Sequence, residues 1–160
     1  MADVLTLEQR NKCMSAVKSG NTTPERILRS ALHKSGLRYR LHEKKLPGRP
    51  DLVFPKYRAV IFINGCYWHL HGCYKSTIPK TNHEFWKKKL TTNKERDARN
   101  LKALKEMEWR VMIVWECAIK GKKSYHIDTM RNIVNDWLHS SIYFFEIPTV
   151  GGQSVAFRSP

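Results

Sequence analysis

Ten consecutive positions constrain this chain more than any other stretch: Asn64, Gly65, Cys66, Tyr67, Trp68, His69, Leu70, His71, Gly72 and Cys73. They follow an apolar run, Val60-Ile61-Phe62-Ile63, and hold two cysteines, two histidines and two large aromatic rings. A core strand cannot absorb that many polar groups without partners, and a solvated loop has no use for that much aromatic surface. Metal ligation and a stacking surface together account for both halves of the composition.

Cys66, His71 and Cys73 form a Cys-x4-His-x-Cys cluster in which Gly72 eases the turn. Structural zinc takes four thiolate or imidazole ligands in a tetrahedron, so a fourth must come from elsewhere. Cys117, just past a later apolar run, is the best-placed candidate. The alternative is a set of inert thiols beside a surface imidazole. Residues 1–6 carry no basic-then-apolar secretory signature, and no apolar stretch is long enough to span a bilayer. The expectation is therefore a cytoplasmic, nucleoid-associated protein with no membrane partner. Disulfides rarely persist there, leaving Cys13, Cys66, Cys73 and Cys117 as metal ligands, catalytic groups or free thiols.

Twenty-nine Lys and Arg stand against fourteen Asp and Glu, a net charge of +15 over 160 residues. Solubility needs far less, so a polyanion, nucleic acid above all, is the natural partner. The length suits one domain with a single sizeable core.

Thr6 with Gln9 predicts a capping box opening a basic helix that runs to about Ser19, stopped by Gly20. Thr22 with Glu25 predicts a second, with Pro24 in its first turn and Gly36 at its end. Leu37, Tyr39 and Leu41 then alternate with polar residues as in a half-buried strand. Short strands are expected at 51–54 and 58–63, a long polar helix from about 82 to 107 with a break near Thr91-Thr92, a buried strand at 110–115, and a helix from about 125 to 139. That order predicts an α/β (mixed α+β) domain over 1–139, a central mixed sheet flanked by helices, with 140–160 as a poorly specified tail.

Asp51 follows Pro50 at the head of a short strand that a tight turn joins to the buried run at 58–63. This brings its carboxylate close to the backbone around Phe62 and Ile63. On its own, such a residue reads equally well as a turn aspartate or cap.

Longer motifs go further. Leu46-Pro-Gly-Arg-Pro-Asp51, Val60-Ile-Phe-Ile-Asn-Gly-Cys-Tyr-Trp-His69, His71-x-Cys73, Glu84-Phe-Trp-x-x-Lys89, Asn93-x-x-Arg96-Asp97 and Trp109-Arg-Val-x-x-Val-Trp-Glu-Cys117 resemble those of the very-short-patch repair endonucleases. The resemblance runs from the first helix to just past Cys117 and fades beyond about Gly121. It implies a restriction-endonuclease-like core and strand-specific nicking of duplex DNA beside a T·G mismatch, with Mg²⁺ as catalytic cofactor and Zn²⁺ as structural one. It implies Asp51 as the magnesium carboxylate, the carbonyl of Ile63 as a second ligand, His69 as general base, Glu25 as support, and Cys66, His71, Cys73 and Cys117 as zinc ligands. A hard, hydrated Mg²⁺ suits one carboxylate and one carbonyl, and an imidazole suits proton transfer near neutrality.

By the same resemblance Tyr67 and Trp68 form an aromatic wedge joined by Trp86, and Met14 enters from the minor-groove side. Opening a base step costs roughly a few kcal/mol and least where pairing is already poor, so a wedge favours mismatched DNA. Trp86, Lys89 and Asn93, at i, i+3 and i+7, share one helical face, where ring, cation and amide can meet one groove. Ordinary core packing is the expectation for Trp109, Trp115 and Trp137, and a solvated face accounts for Lys87 and Lys88. The chain departs from the family pattern at Ile63, often threonine, and at Asn64, usually histidine. Ile63 is harmless where only its carbonyl binds metal. Asn64 stays in the catalytic set as a group that can hold a phosphate oxygen or water but cannot titrate. A monomer is expected, with other mismatch-repair proteins as partners. The competing readings are a nicking or restriction endonuclease for undamaged sites and a non-catalytic, zinc-stabilised DNA-binding protein.

Overall fold

The computed structural model describes residues 5–148, 151–152 and 155–158. The fold begins with two helices, α1 (Leu7–Ser15) and α2 (Thr23–Lys34). Both capping boxes are present. Thr6 Oγ1 accepts from the Gln9 amide while the Gln9 side chain returns to the Thr6 amide, and Thr22 and Glu25 do the same. α1 stops four residues short of the expected Ser19, where the Ser15 hydroxyl bonds back to the Lys12 carbonyl.

Strands β1 (Arg40–Leu41), β2 (Leu52–Phe54) and β3 (Ala59–Asn64) pair antiparallel, with a 3₁₀ turn at Pro55–Tyr57 between the last two. The expected strand at 37–41 shrinks to its last two residues. Leu37 closes onto α2, donating its amide to the Leu32 carbonyl, and the Tyr39 hydroxyl bonds the Arg29 carbonyl at 2.6 Å. The alternation seen in the sequence reflects packing against α2 rather than sheet pairing.

Helix α3 (His83–Glu106) runs unbroken through Thr91-Thr92. Threonine lowers helix propensity by less than about 0.7 kcal/mol, and buried Leu90 and Leu104 hold the helix down on either side. β4 (Arg110–Trp115) then pairs parallel with β3, and a short helix α4 (Glu116–Ile119) leads to α5 (Ile127–Leu138). The stretch from 140 onward, expected as a poorly specified tail, instead carries β5 (Ile142–Ile147), parallel to β4, and β6 (Val155–Arg158), antiparallel to β5. Gln153 and Ser154 lie outside the described residues. The result is the expected mixed sheet flanked by helices, among the described residues six strands in the order β1-β2-β3-β4-β5-β6.

Alternation along the central strands feeds two cores. Ile61, Ile63, Met112 and Val114 meet Leu28 and Leu32 of α2 and Met130, Val134 and Trp137 of α5. Val60, Val111, Ile113 and Trp115 meet Leu104 of α3 on the other face. Each fully buried leucine contributes about 1.5–3 kcal/mol. Asp51, Phe62 and Asn64 fall on the α3 face by the same period of two, which opens the site on that side.

Arg110 ties the C-terminal part to this frame. Its guanidinium donates to the carbonyls of Trp137, Leu138, Ser140, Ile142 and Tyr57 at 2.7–3.5 Å and lies over the Trp137 ring. A cation at the C-terminus of α5 also complements the helix dipole. Arg110→Met will destabilise the protein by about 3 kcal/mol in urea unfolding, because each charge-assisted bond contributes about 1.5–3 kcal/mol and the carbonyls lose their partner together. A loss below about 1 kcal/mol would remove Arg110 from this role.

Candidate active site and metal centre

A cleft of about 1050 Å³ opens between α2, the β1–β2 turn, the end of β3 and α3. Its floor is set by the Pro47-Gly48-Arg49-Pro50 turn, where Gly48 adopts φ 74° and any side chain would run into Phe62 and Asn100. The turn delivers Asp51 beside β3, where its Oδ2 accepts the Ile63 amide at 2.7 Å. Burial pushes the Asp51 carboxyl up from 3.8 to about 7, with the Ile63 bond opposing and nearby Glu25 adding to the rise. Glu25, 4% exposed, is held by the backbone amides of Asn21 and Thr22 and the Thr22 hydroxyl. Asn64 is buried and lines the same cleft.

His69 reaches the cleft from the loop after β3. Its Nδ1 donates to Asp97 Oδ2 of α3 at 2.5 Å. That bond fixes the tautomer and leaves Nε2 as the acceptor, the arrangement a general base needs.

The other end of the loop turns away from the cleft. Leu70 at φ 49° and Gly72 at φ 85° bend it so that Cys66, His71 and Cys73 meet Cys117 of α4, with one donor atom from each within 4.8 Å of all the others. Burial, together with the neighbouring Cys117 and Cys73 thiols, pushes the Cys66 thiol up, whereas burial pulls His71 down. Three thiols and an imidazole facing one point could hold a metal cation, which would strip the thiol protons. The His71 ring stacks on Trp115 at 4.1 Å and 9°, and the Trp115 indole N–H is held by Glu146 of β5 at 2.5 Å.

Between the two centres stands an aromatic platform. Tyr67, Trp68 and Trp86 meet edge to face with centroids 5.1–6.2 Å apart, and the Lys89 ammonium lies 5.5–5.8 Å from the two indoles. Phe85, 59% exposed, extends it on the solvent side.

The sequence profile described as DNA mismatch endonuclease Vsr matches residues 2–75. DNA mismatch endonuclease Vsr of Escherichia coli (strain K12) is 41% identical over 151 residues, covering 94% of this chain and 97% of that protein. Type II nicking enzyme V.XorIIP of Xanthomonas oryzae pv. oryzae is 47% identical over 135 residues, 84% of this chain and 98% of its own. The chain belongs to the Vsr family of DNA mismatch endonucleases. A third relative, Type II nicking enzyme V.NmeAIP of Neisseria meningitidis serogroup A, is 43% identical over 122 residues, 76% of this chain and 87% of its own.

The endonuclease thus gathers Asp51, Glu25, Asn64, Ile63 and His69 around one cleft, and Cys66, His71, Cys73 and Cys117 around one point. Trp86, expected to touch DNA, is largely buried beneath Tyr67 and Trp68, and the Asn93 amide is engaged by the Trp68 carbonyl at 3.2 Å. Met14 is half-buried on α1. No helix among the described residues is long and apolar enough to cross a membrane.

Sequence reasoning misses two residues of the site. Asp97 belongs to a family motif but carries no role there, although its spacing from Trp86 and Asn93 puts it on their face of α3. His42 has no motif at all, yet it lies beside both Glu25 and Asp51. Only the β1–β2 pairing, Leu41 opposite Leu52, brings it there.

Proposed function

We propose that this endonuclease nicks one strand of duplex DNA beside a T·G mismatch, with Mg²⁺ at the cleft and Zn²⁺ at the Cys₃His centre. The observation that carries the reading is the His69–Asp97 pair in a cleft shared with Asp51 and adjoining the Tyr67–Trp68–Trp86 platform. The buried Asp51 carboxyl suits a cation partner, and Asp51 with the Ile63 carbonyl would hold it. Bound there, Mg²⁺ supplies Lewis-acid stabilisation of charge on the phosphoryl and leaving oxygens. His69 Nε2 takes a proton from water as the water oxygen bonds phosphorus and a P–O ester bond breaks. Asp97 keeps the imidazole aligned and stabilises the imidazolium that results. The Asn64 amide is placed to steady a phosphate oxygen or the water. Three thiolates fit Zn²⁺ best. The protein works as a monomer in the cytoplasm and passes its nick to mismatch-repair proteins.

The deciding test is a nicking assay on a T·G duplex and its T·A counterpart, with and without Mg²⁺. Cutting of the T·G duplex alone, and only with the ion, is expected. Equal cutting of both would favour an enzyme for undamaged sites, and no cutting a DNA-binding protein. Trp68→Ala should weaken binding to the mismatched duplex by about 1–3 kcal/mol while leaving affinity for the matched one nearly unchanged, since the basic surface is intact. Equal losses in parallel titrations would make Trp68 a packing residue.

A further inference from the structure

His42 is partly buried beside Asp51 and Glu25 with no role in the mechanism above. It follows β1 directly and adopts φ 48°, a left-handed conformation that is uncommon for a non-glycine residue and clusters at working sites. Its amide is fixed by the Asp51 carbonyl at 3.3 Å, and this kink turns the ring inward. Nδ1 then lies 3.6 Å from Asp51 Oδ1 and Nε2 3.3 Å from Glu25 Oε2. A Cβ on Gly20 would come within 3.2 Å of the ring, so glycine there leaves the space it occupies.

Two features separate this from an ordinary carboxylate–histidine contact. Nε2 is sealed from solvent yet makes no hydrogen bond: it is near Glu25 but not aimed at it. In addition, one donor atom from each of Glu25, His42 and Asp51 lies within 4.8 Å of the other two. An unprotonated ring nitrogen set beside carboxylate oxygens can share a cation with them, and all three donor atoms here are close enough to do so. Buried polar atoms are seldom left unpaired, so such a group calls for an occupant.

We propose that His42 is a direct nitrogen ligand in a three-point divalent-metal site with Glu25 and Asp51, and that it tilts the site toward Mn²⁺ over Mg²⁺. It rests on the reading of Asp51 as the metal carboxylate. Mg²⁺ favours oxygen donors in near-ideal octahedral geometry and dehydrates reluctantly, whereas imidazole is a good donor to first-row transition ions. Mn²⁺ stands lowest in the stability order of those ions, so it leaves zinc undisturbed among the cysteines.

The test uses the full-length, zinc-loaded protein without added chelator. Mn²⁺ and Mg²⁺ are titrated by calorimetry, and the Mn²⁺-loaded protein is examined by electron spin-echo envelope modulation for ¹⁴N coupling. The wild type is expected to bind Mn²⁺ at least about tenfold more tightly than Mg²⁺ and to show imidazole nitrogen coupling. His42→Gln should lose the coupling and weaken Mn²⁺ about tenfold while changing Mg²⁺ less than about twofold, the lower end of what a lost metal-site partner does. A wild-type spectrum without nitrogen coupling overturns the proposal and needs no folded variant. So does coupling that persists in His42→Gln, which would point to His69, or an equal loss for both ions. The wild-type T·G nicking assay in Mg²⁺ reads the underlying function separately. Nicking without nitrogen coupling sinks the His42 assignment alone, and coupling without mismatch-dependent nicking sinks the substrate reading alone.

Discussion

Asp51→Asn will leave the endonuclease able to bind duplex DNA and unable to cut it. Affinity comes mainly from phosphate contacts, which an isosteric amide does not touch. Several kcal/mol of transition-state stabilisation disappear with the metal-directed charge, which at 1.36 kcal/mol per tenfold is about 10³ or more in rate. The oxygen of the substituted amide can still accept the Ile63 N–H, so the turn should hold. Stability gives an independent check. Burial raises the folded carboxyl from 3.8 to about 7, so the neutral form's contribution is complete below pH 3.8 and is lost as pH rises through 7. That gap corresponds to on the order of 4 kcal/mol. Without added Mg²⁺ and with zinc in place, the variant should match the wild type near pH 4 and exceed it above pH 7 in urea unfolding. A variant that still nicked at near wild-type rate would exclude Asp51 from the chemistry, and parallel stability curves would mean its carboxyl is not buried as described.

Cys73→Ala will cost the fold rather than the rate. Small structural zinc sites contribute roughly 10–16 kcal/mol apparent, against roughly 5–15 kcal/mol for a whole domain. Here the loss is tempered by two hydrophobic cores, yet it also releases the loop carrying Tyr67, Trp68 and His69. Insoluble or largely unfolded protein is the expected outcome of expression, checked by circular dichroism and by metal analysis of any soluble fraction. A folded, purified wild-type chain with less than one zinc per molecule would dismiss the four-ligand centre.

Much of this is legible in the residues, for identifiable reasons. Both capping boxes can be read because they depend on side chains three apart. The Cys66–His71–Cys73 cluster is nearly as local, and helix α3 and strand β4 separate it from Cys117. His42 and Asp97 are harder, since each acquires its role only through long-range pairing: one across the β1–β2 register, the other from α3 onto a loop 28 residues earlier. The alternation at 37–41 misleads because a helix can impose the same period on a chain passing beneath it. Ile142-Tyr-Phe-Phe-Glu-Ile147 is rich in aromatic and β-branched residues, a plain strand signature. It escapes a reading led by the family motifs, which fade before it. Trp115 reads in sequence only as core filling, and it also carries the stack on His71.

Helix α3 has an evolutionary corollary. Trp86, Asn93 and Asp97 lie along one inner stripe of a single uninterrupted rod, which supports the platform, grips the Trp68 carbonyl and aligns His69. Inserting or deleting one residue within that stripe turns everything beyond it by about 100°, so the connections on its two sides can no longer be made together. Descendants of this chain are therefore free to vary the exposed outer face at Lys87, Lys88 and Lys94. The length of the inner stripe is closed to them, so altered sequence preference must arise from α1, from the loops, or from substitutions that keep the rod's spacing.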